Sequence, residues 1–239
     1  FQVDGTSYKD KIGDGQYRVS ILDEGGKINL NALNDQTSVF LKNVLINNGM
    51  EKEKAEALID AILDWKDNDN DVRLKGAESE YYLSLPNPYS AKNKEFETLE
   101  ELALVKGVTP ELLYGDNQKR GLIHYLSIFH QTPQISIDVA SKDILAAIPG
   151  MTPEFEEGIL KARKNNDLDE VRNYQNKMAN KNQGIMPFLD VKETNRYTIY
   201  SIGYKDNEKK GYPIVATVVI EGNDKYQYVY YKSPGYVMQ

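Results

Sequence analysis

The sequence predicts an α+β fold in which both ends of the chain form one antiparallel sheet and a helical region lies between them. Residues 17–22 alternate polar and apolar side chains, as a half-buried strand does. The alternation returns in three runs after residue 196. Between these ends, apolar residues recur at the spacing of an amphipathic helix, most clearly over 39–45 and 52–65.

The three C-terminal runs predict an antiparallel meander. They cover 197–201, 214–220 and 226–230, and glycine-containing polar segments at 206–211 and 222–224 predict the connecting turns. Strict alternation places Tyr226, Tyr228 and Tyr230 on one face. Because three strands need a partner layer, we expect the strand at 17–22 and a segment outside this sequence to complete the sheet domain.

Composition excludes several classes of protein. The chain has 239 residues, of which 40% are hydrophobic and 27% charged, as in a globular protein. Its net charge of -7 argues against sequence-independent binding to nucleic-acid phosphates or anionic lipid. The absence of cysteine excludes disulfides, thiol catalysis and cysteine-ligated metals. The sequence begins at Phe1 without a signal-peptide pattern, so we expect a trimmed or mature fragment.

An acidic stretch after the second predicted helix indicates a cation site. Asp67, Asp69, Asp71 and Glu78 stand at positions one, three, five and twelve of a loop, which is the ligand spacing of an EF-hand calcium site. Position six is Val72, where an EF-hand requires glycine for a sharp turn. We therefore predict an EF-hand-like site in a different scaffold. The predicted metal residues are Asp67, Asp69, Asp71, Arg73 and Glu78.

Calcium is the expected ion. The side-chain ligands are hard carboxylates, and the two histidines lie far along the chain. The alternative is a solvated acidic loop without metal, because the carboxylates repel one another. The pair Tyr81-Tyr82, directly after Glu78, favours a loop that is held at its exit, and Trp65 is expected to anchor its entry in the core.

The helical region contains two copies of one sequence segment. LALVKGVTPE (102–111) and LAAIPGMTPE (145–154) are identical at six of ten positions. Each reads as a helix followed by hydrophobe-Gly-hydrophobe-Thr-Pro-Glu, which is typical of a helix-hairpin-helix-like or SAM-like unit. The predicted division is a sheet part at 1–31, an inserted helical domain at 32–190 with related units at about 32–120 and 135–180, and C-terminal strands at 191–239.

Other functions fit less well. Paired helical hairpins can bind nucleic acid, but Lys106 is the only basic residue of the two hairpin turns and the protein is acidic. A hydrolase would need a nucleophile and a base. His124 and His130 lie in an apolar stretch that predicts a buried or half-buried helix, so we expect core histidines and no enzyme activity. A generic calcium-binding interaction module stays open as an alternative.

The order of motifs resembles the K-type minor pseudopilin (GspK) of bacterial type II secretion systems. The resemblance runs across roughly residues 15–120. Its motifs are Gly26-Lys-Ile-Asn-Leu-Asn31, Asp64-Trp-x-Asp67-x-Asp69, Gly76-Ala-Glu78-x-x-Tyr81-Tyr82, Pro88-Tyr89, Leu99-Glu-Glu-Leu102 and Val105-Lys-Gly107. It implies a pseudopilin-like antiparallel sheet with a large inserted helical domain, and a hydrophobic N-terminal helix that is missing from this sequence.

The same resemblance implies a function and a location. We expect a protein at the tip of the periplasmic pseudopilus, bound to the I-type and J-type minor pseudopilins, with calcium in the inserted domain. Full-length members of the family are anchored in the inner membrane by the absent helix. Secreted substrates are a further candidate partner, and nucleic acid is not expected.

Overall fold

A computed structural model of the protein describes residues 3–116, 118–130, 132–192, 194–205, 211–222 and 225–235. The turns predicted at 206–211 and 222–224 lie largely outside the described residues. The strands are β1 (Asp4–Ile12), β2 (Gly15–Asp23), β3 (Ile28–Asn29), β4 (Leu126–Ser127), β5 (Ile135–Ser136), β6 (Leu189–Asp190), β7 (Arg196–Lys205), β8 (Tyr212–Gly222) and β9 (Lys225–Lys232). The helices are α1 (Ser38–Asn47), α2 (Lys52–Lys66), α3 (Ser79–Leu83), α4 (Pro110–Tyr114), α5 (Lys142–Ala147), α6 (Pro153–Lys164) and α7 (Leu168–Lys181).

Both ends of the chain meet in one antiparallel sheet, as the alternation predicts. The five strands have the order β1-β2-β7-β8-β9. β2 and β7 pair in antiparallel register, for example Val19 with Ser201, although the whole helical region separates them in sequence. β1 was not predicted, because its residues are mostly polar and exposed and show no alternation. It forms through its pairing with β2.

Not every extended segment joins this sheet. Residues 28–29, which fall in the predicted sheet part at 1–31, form β3, which pairs in parallel with β4. Asn29, at 5% exposure, donates from Nδ2 to the carbonyl oxygens of His130 and Thr132. β5 and β6 form a second short parallel pair, and a 3-10 helix at Gln183–Phe188 directly precedes β6.

The first two helices form where the apolar period predicts them. α2 buries one face, including Ala55, Leu58 and Ile62. Because the largest cluster of buried apolar side chains lies between residues 28 and 191, the main core belongs to the helical region. Every helix in the described residues is too short or too polar to cross a lipid bilayer.

The two repeated segments have the same local geometry. Gly107 and Gly150 have φ angles of 87° and 85°, which residues with a Cβ rarely adopt. The side chains of Thr109 and Thr152 then cap α4 and α6. Each accepts a hydrogen bond from the backbone amide three residues further along the chain. The helices differ in length, with 5 residues in α4 and 12 in α6.

The histidine segment is buried but is not a helix. His124 and His130 are 8% and 5% exposed, so the expectation of core histidines agrees with their burial. Their segment forms a 3-10 turn at Leu122–His124 followed directly by β4. The helix prediction is wrong there. A short apolar run that is buried on all sides has no periodicity that distinguishes a helix from a strand.

The three tyrosines of the last strand do not share a face. The pairing register shifts between Thr217, opposite Tyr230, and Val218, opposite Tyr228. This bulge turns Tyr230 toward Glu100 of the helical region, whereas the rings of Tyr226 and Tyr228 contact each other. A bulge inserts one extra residue and reverses the alternation beyond it.

Candidate metal centre

Three carboxylates meet where α2 ends. Asp64, Asp67 and Glu78 each bring one oxygen to a point where these atoms lie within 4.8 Å of one another. Asp64 lies in the last turn of α2, and Asp67 ends the helix by donating its amide hydrogen to the carbonyl of Leu63. The loop from Asp67 returns to place Glu78 directly before α3.

Glu78 is the carboxylate of the cluster with the least compensation. It is 5% exposed, and neither of its carboxylate oxygens has a hydrogen-bond partner among the residues that the structure describes. The same holds for Oδ1 of Asp67. Burial, followed by the negative charges of Asp64 and Asp67, raises the pKa of Glu78 to about 7. Buried carboxylates without partners are costly, so a bound cation fits this set of oxygens.

Arg73 supplies positive charge to the other two carboxylates. Its Nη1 lies 2.8 Å from Oδ1 of Asp64 and 2.5 Å from Oδ2 of Asp67. Its backbone amide also points at the Asp64 carboxylate, 3.2 Å from Oδ2. The desolvation of the partly buried guanidinium opposes its charge, but the hydrogen bonds to Asp64 and Asp67 outweigh this and raise the pKa of Arg73 above its usual value.

Gly76 lets the loop pass close to Asp64. A Cβ at this position would lie 1.9 Å from Oδ2 of Asp64 and 2.7 Å from its Cγ. No such contact is tolerated between real side chains, so the position requires glycine for reasons of space. The loop therefore forms a close cradle around the Asp64 carboxylate.

Two side chains hold the loop from outside. Asn93 donates from Nδ2 to the carbonyl oxygen of Asp69, at 2.9 Å, while its own amide donates to the carbonyl of Trp65. Lys106, in the first repeated segment, donates from Nζ to the carbonyl of Gly76 at 2.8 Å. It also lies over the Tyr81 ring, 4.9 Å from the centroid. The acidic loop is thereby fixed to the hairpin unit.

Aromatic rings fix the entry and the exit of the loop. Trp65 is 3% exposed and packs edge-on against Tyr82 and Tyr89, with ring centroids 5.0 and 6.1 Å away. Tyr82 is fully buried, and its hydroxyl accepts a hydrogen bond from the amide of Lys106. The Trp65 anchor and the held exit after Glu78, both expected from the sequence, are therefore present.

The sequence-based metal set is only partly assembled. Asp67 and Glu78 lie in the cluster, whereas Asp69 and Asp71 are exposed and Oδ1 of Asp69 accepts the Asp71 amide. Arg73 is present, but a guanidinium is itself a cation and its side chain cannot be a metal ligand. The sequence-based set did not include Asp64, which the structure places in the cluster. Its signal was the motif Asp64-Trp-x-Asp67, which places a carboxylate on the helix that carries the loop.

The cluster has the chemistry of a structural cation site. Its donors are carboxylate oxygens, which calcium and magnesium prefer over softer metals. Calcium can take further oxygens from the exposed Asp69 and Asp71, from backbone carbonyls and from water. The arrangement brings the end of α2 and the start of α3 together, and its three side chains are carboxylates.

The part of the chain that contains the cluster is similar to known proteins. Residues 26–114 match the family model described as type II secretion system (T2SS), protein K. Type II secretion system protein K of Pseudomonas aeruginosa is 31% identical over 161 residues, which is 64% of this chain and 46% of that protein. The Klebsiella pneumoniae protein of the same name is 27% identical over 153 residues, 59% of this chain and 45% of that protein. The chain thus spans less than half the length of these two relatives.

A solved structure has the same fold. It is the GspK-GspI-GspJ complex from the enterotoxigenic Escherichia coli type 2 secretion system, matched with a TM-score of 0.68 and 17% identity. The match covers 95% of this chain and 83% of the matched chain. The likeness shows that this chain shares the mixed fold with an antiparallel sheet of the matched chain. This chain is therefore similar to type II secretion system protein K, in sequence over residues 26–114 and in fold over most of its length.

Proposed function

We propose that this chain is the periplasmic part of a minor pseudopilin, which assembles at the tip of the type II secretion pseudopilus with I-type and J-type minor pseudopilins. The observation that carries the proposal is the protein K match over residues 26–114, which contains the whole acidic loop. The fold likeness to a chain of a GspK-GspI-GspJ complex extends it to the sheet. The anchoring helix of full-length family members would attach this part to the inner membrane.

We infer that the carboxylate cluster binds calcium and that the ion is structural. A cation between Asp64, Asp67 and Glu78 would neutralise the charge that their burial makes costly. It would also fix the loop between Trp65 and Tyr82. These two residues belong to the same hydrophobic core as the hairpin unit. Calcium at millimolar levels outside the cytoplasm would keep even a weak site filled.

We further infer that the two Gly-x-Thr-Pro segments are copies of one helix-hairpin-helix-like packing unit. Their shared glycine conformation and threonine caps support this. Their role is to pack helices, since both carry buried apolar residues in the main core. No enzyme activity is assigned to the chain, because the cluster lacks a nucleophile and both histidines are buried.

Assembly is tested by mixing. The chain is combined with the soluble parts of the I-type and J-type minor pseudopilins of the same secretion system, and the mixture is separated by size. We expect a stable ternary complex that contains one copy of each chain. Separate elution of the three proteins at micromolar concentration would contradict the proposal, whereas retention on a nucleic-acid column at physiological salt would favour the hairpin alternative.

Calcium binding is tested on the chain alone. We expect calcium to raise the melting temperature above that in chelator, because an ion that binds the folded state stabilises it by mass action. Magnesium at the same concentration is the comparison, since its smaller octahedral shell suits a flexible carboxylate loop less well. A melting temperature that is the same in chelator and in calcium would contradict the calcium assignment.

A further inference from the structure

Arg73 already occupies one side of the carboxylate cluster. Its Nη1 contacts one oxygen of Asp64 and one of Asp67, at 2.8 and 2.5 Å. The oxygens left without partners are Oδ1 of Asp67 and both oxygens of Glu78. Two of the three carboxylates therefore share a positive charge that belongs to the chain, and the third shares none.

Asp64 depends on Arg73 most strongly. Its side chain is 0% exposed. In the described part of the chain, the hydrogen bonds to its carboxylate come from the guanidinium and the backbone amide of Arg73. A buried carboxylate that loses its counter-ion is strongly destabilising. Arg73 therefore places a positive charge beside this buried carboxylate without a metal.

We propose that Arg73 is a built-in counter-ion of the cation site, which neutralises Asp64 and Asp67 in place of a metal and competes with calcium for their charge. The inference rests on the calcium site of the proposed function. A calcium ion on Oδ1 of Asp67 would be held by the carboxylate whose other oxygen binds the guanidinium, so the two cations repel each other at short range.

The competition has two consequences. The loop keeps its shape when calcium is scarce, because Arg73 replaces part of the ion's charge. Calcium binds more weakly than it would to the carboxylates alone, which suits a site exposed to millimolar calcium. The two effects are linked, since a residue that stabilises the calcium-free protein more than the calcium-bound protein must weaken calcium binding by the same factor.

The test compares four forms of the 239-residue chain: wild type, Arg73→Gln, Arg73→Lys and Arg172→Gln. Calcium affinity is measured by titration calorimetry, and melting is followed in calcium and in chelator. Arg73→Gln should bind calcium about tenfold more tightly or better, and its melting temperature should fall more in chelator than in calcium. Arg73→Lys keeps the charge and should stay within about threefold of wild type.

Arg172→Gln is the matched control. It removes the same charge from an exposed ion pair with Asp169 on α7, away from the cluster. Its calcium affinity should equal that of wild type. An equal effect of Arg172→Gln and Arg73→Gln would overturn the proposal, because net charge alone would then explain the change.

Other outcomes distinguish the counter-ion role of Arg73 from the calcium site itself. Equal or weaker calcium binding by Arg73→Gln would overturn the counter-ion role while leaving the calcium site intact. Absence of calcium binding in wild type and in all variants would overturn the site itself and the inference with it. If Arg73→Gln is unfolded in chelator, its urea stability in saturating calcium decides: near-wild-type stability supports the proposal, and unfolding in calcium as well overturns it.

Discussion

The hydroxyl of Tyr230 donates a 2.6 Å hydrogen bond to Oε1 of Glu100, which joins the edge strand β9 to a residue 130 positions earlier in the chain. Nζ of Lys232 lies 2.6 Å from the same oxygen. Burial would raise the pKa of Glu100, but the hydrogen bonds from Lys232 and Tyr230 outweigh it and hold the pKa below its usual value. One ionised carboxylate thus links the sheet to the helical region.

Replacing this carboxylate should loosen the link. Glu100→Gln is expected to lower the free energy of unfolding at pH 7 by about 1–2 kcal/mol, since it removes charge-assisted hydrogen bonds from a partly buried group. Because the folded pKa is lowered, the wild-type contribution is present above the unfolded pKa and disappears as the pH falls through the folded value. Urea unfolding at pH 7 measures the difference.

Glu97→Gln is the control for this prediction. Glu97 is 84% exposed and lies 3.6 Å from Lys92. Its replacement should change the free energy of unfolding by less than about 0.5 kcal/mol. Equal stability of Glu100→Gln and wild type would show that the link contributes nothing measurable.

Calcium-dependent stabilisation should depend on Glu78, a buried member of the cluster. Glu78→Gln is expected to abolish the calcium-induced rise in melting temperature, because it removes a charged oxygen donor, whereas Asp69→Ala, at an exposed position outside the cluster, should reduce the rise less. The far-UV circular dichroism of the sheet should remain. Glu80→Gln, an exposed neighbour, should keep the full rise. A full rise in Glu78→Gln would place the ion elsewhere.

Gly76→Ala should disrupt the same site by crowding. The added Cβ would overlap Oδ2 of Asp64, so the loop or the carboxylate must move. We expect a loss of about 2 kcal/mol or more in the free energy of unfolding and a weaker response to calcium. Gly203→Ala, where a Cβ has no neighbour within 4 Å, should be nearly neutral. Wild-type calcium response in Gly76→Ala would contradict the close packing.

Acid should destabilise the protein through its buried histidines. Burial, followed by the positive charges of Lys27 and Arg120, lowers the pKa of His124 to about 4. Since the unfolded chain binds the proton more readily, the contribution of His124 is present above about pH 6.5 and is lost as the pH falls toward 4. Burial lowers the pKa of His130 in the same direction.

His124→Gln isolates this effect. Between pH 7 and pH 5, wild type should lose about 2 kcal/mol more stability than the variant, because glutamine does not titrate. Urea unfolding at both pH values gives the difference, and the comparison between pH 7 and pH 8 should show none. Parallel pH profiles of the two proteins from pH 7 to 5 would contradict the buried neutral state of His124.

Local sequence explains the regular elements. Periodicity predicts the helices α1 and α2 and the strands β2, β7 and β8 where they form, because each is specified by neighbours a few residues away. β1 was missed for the same reason: its polar residues carry no local signal, and its pairing partner supplies the structure. The bulge that separates Tyr228 from Tyr230 is likewise set by pairing with β8.

By itself, the sequence determined the kind of site and its place in the chain: an acidic loop after an amphipathic helix, closed by Glu78 and two tyrosines. Only the tertiary structure decided which carboxylates meet. It buries Asp64 and Glu78 together and leaves Asp69 and Asp71 exposed. The reason is physical: spacing along a loop fixes the order of the ligands, whereas burial, the Gly76 contact and the Arg73 ion pair arise from packing between segments that are distant along the loop.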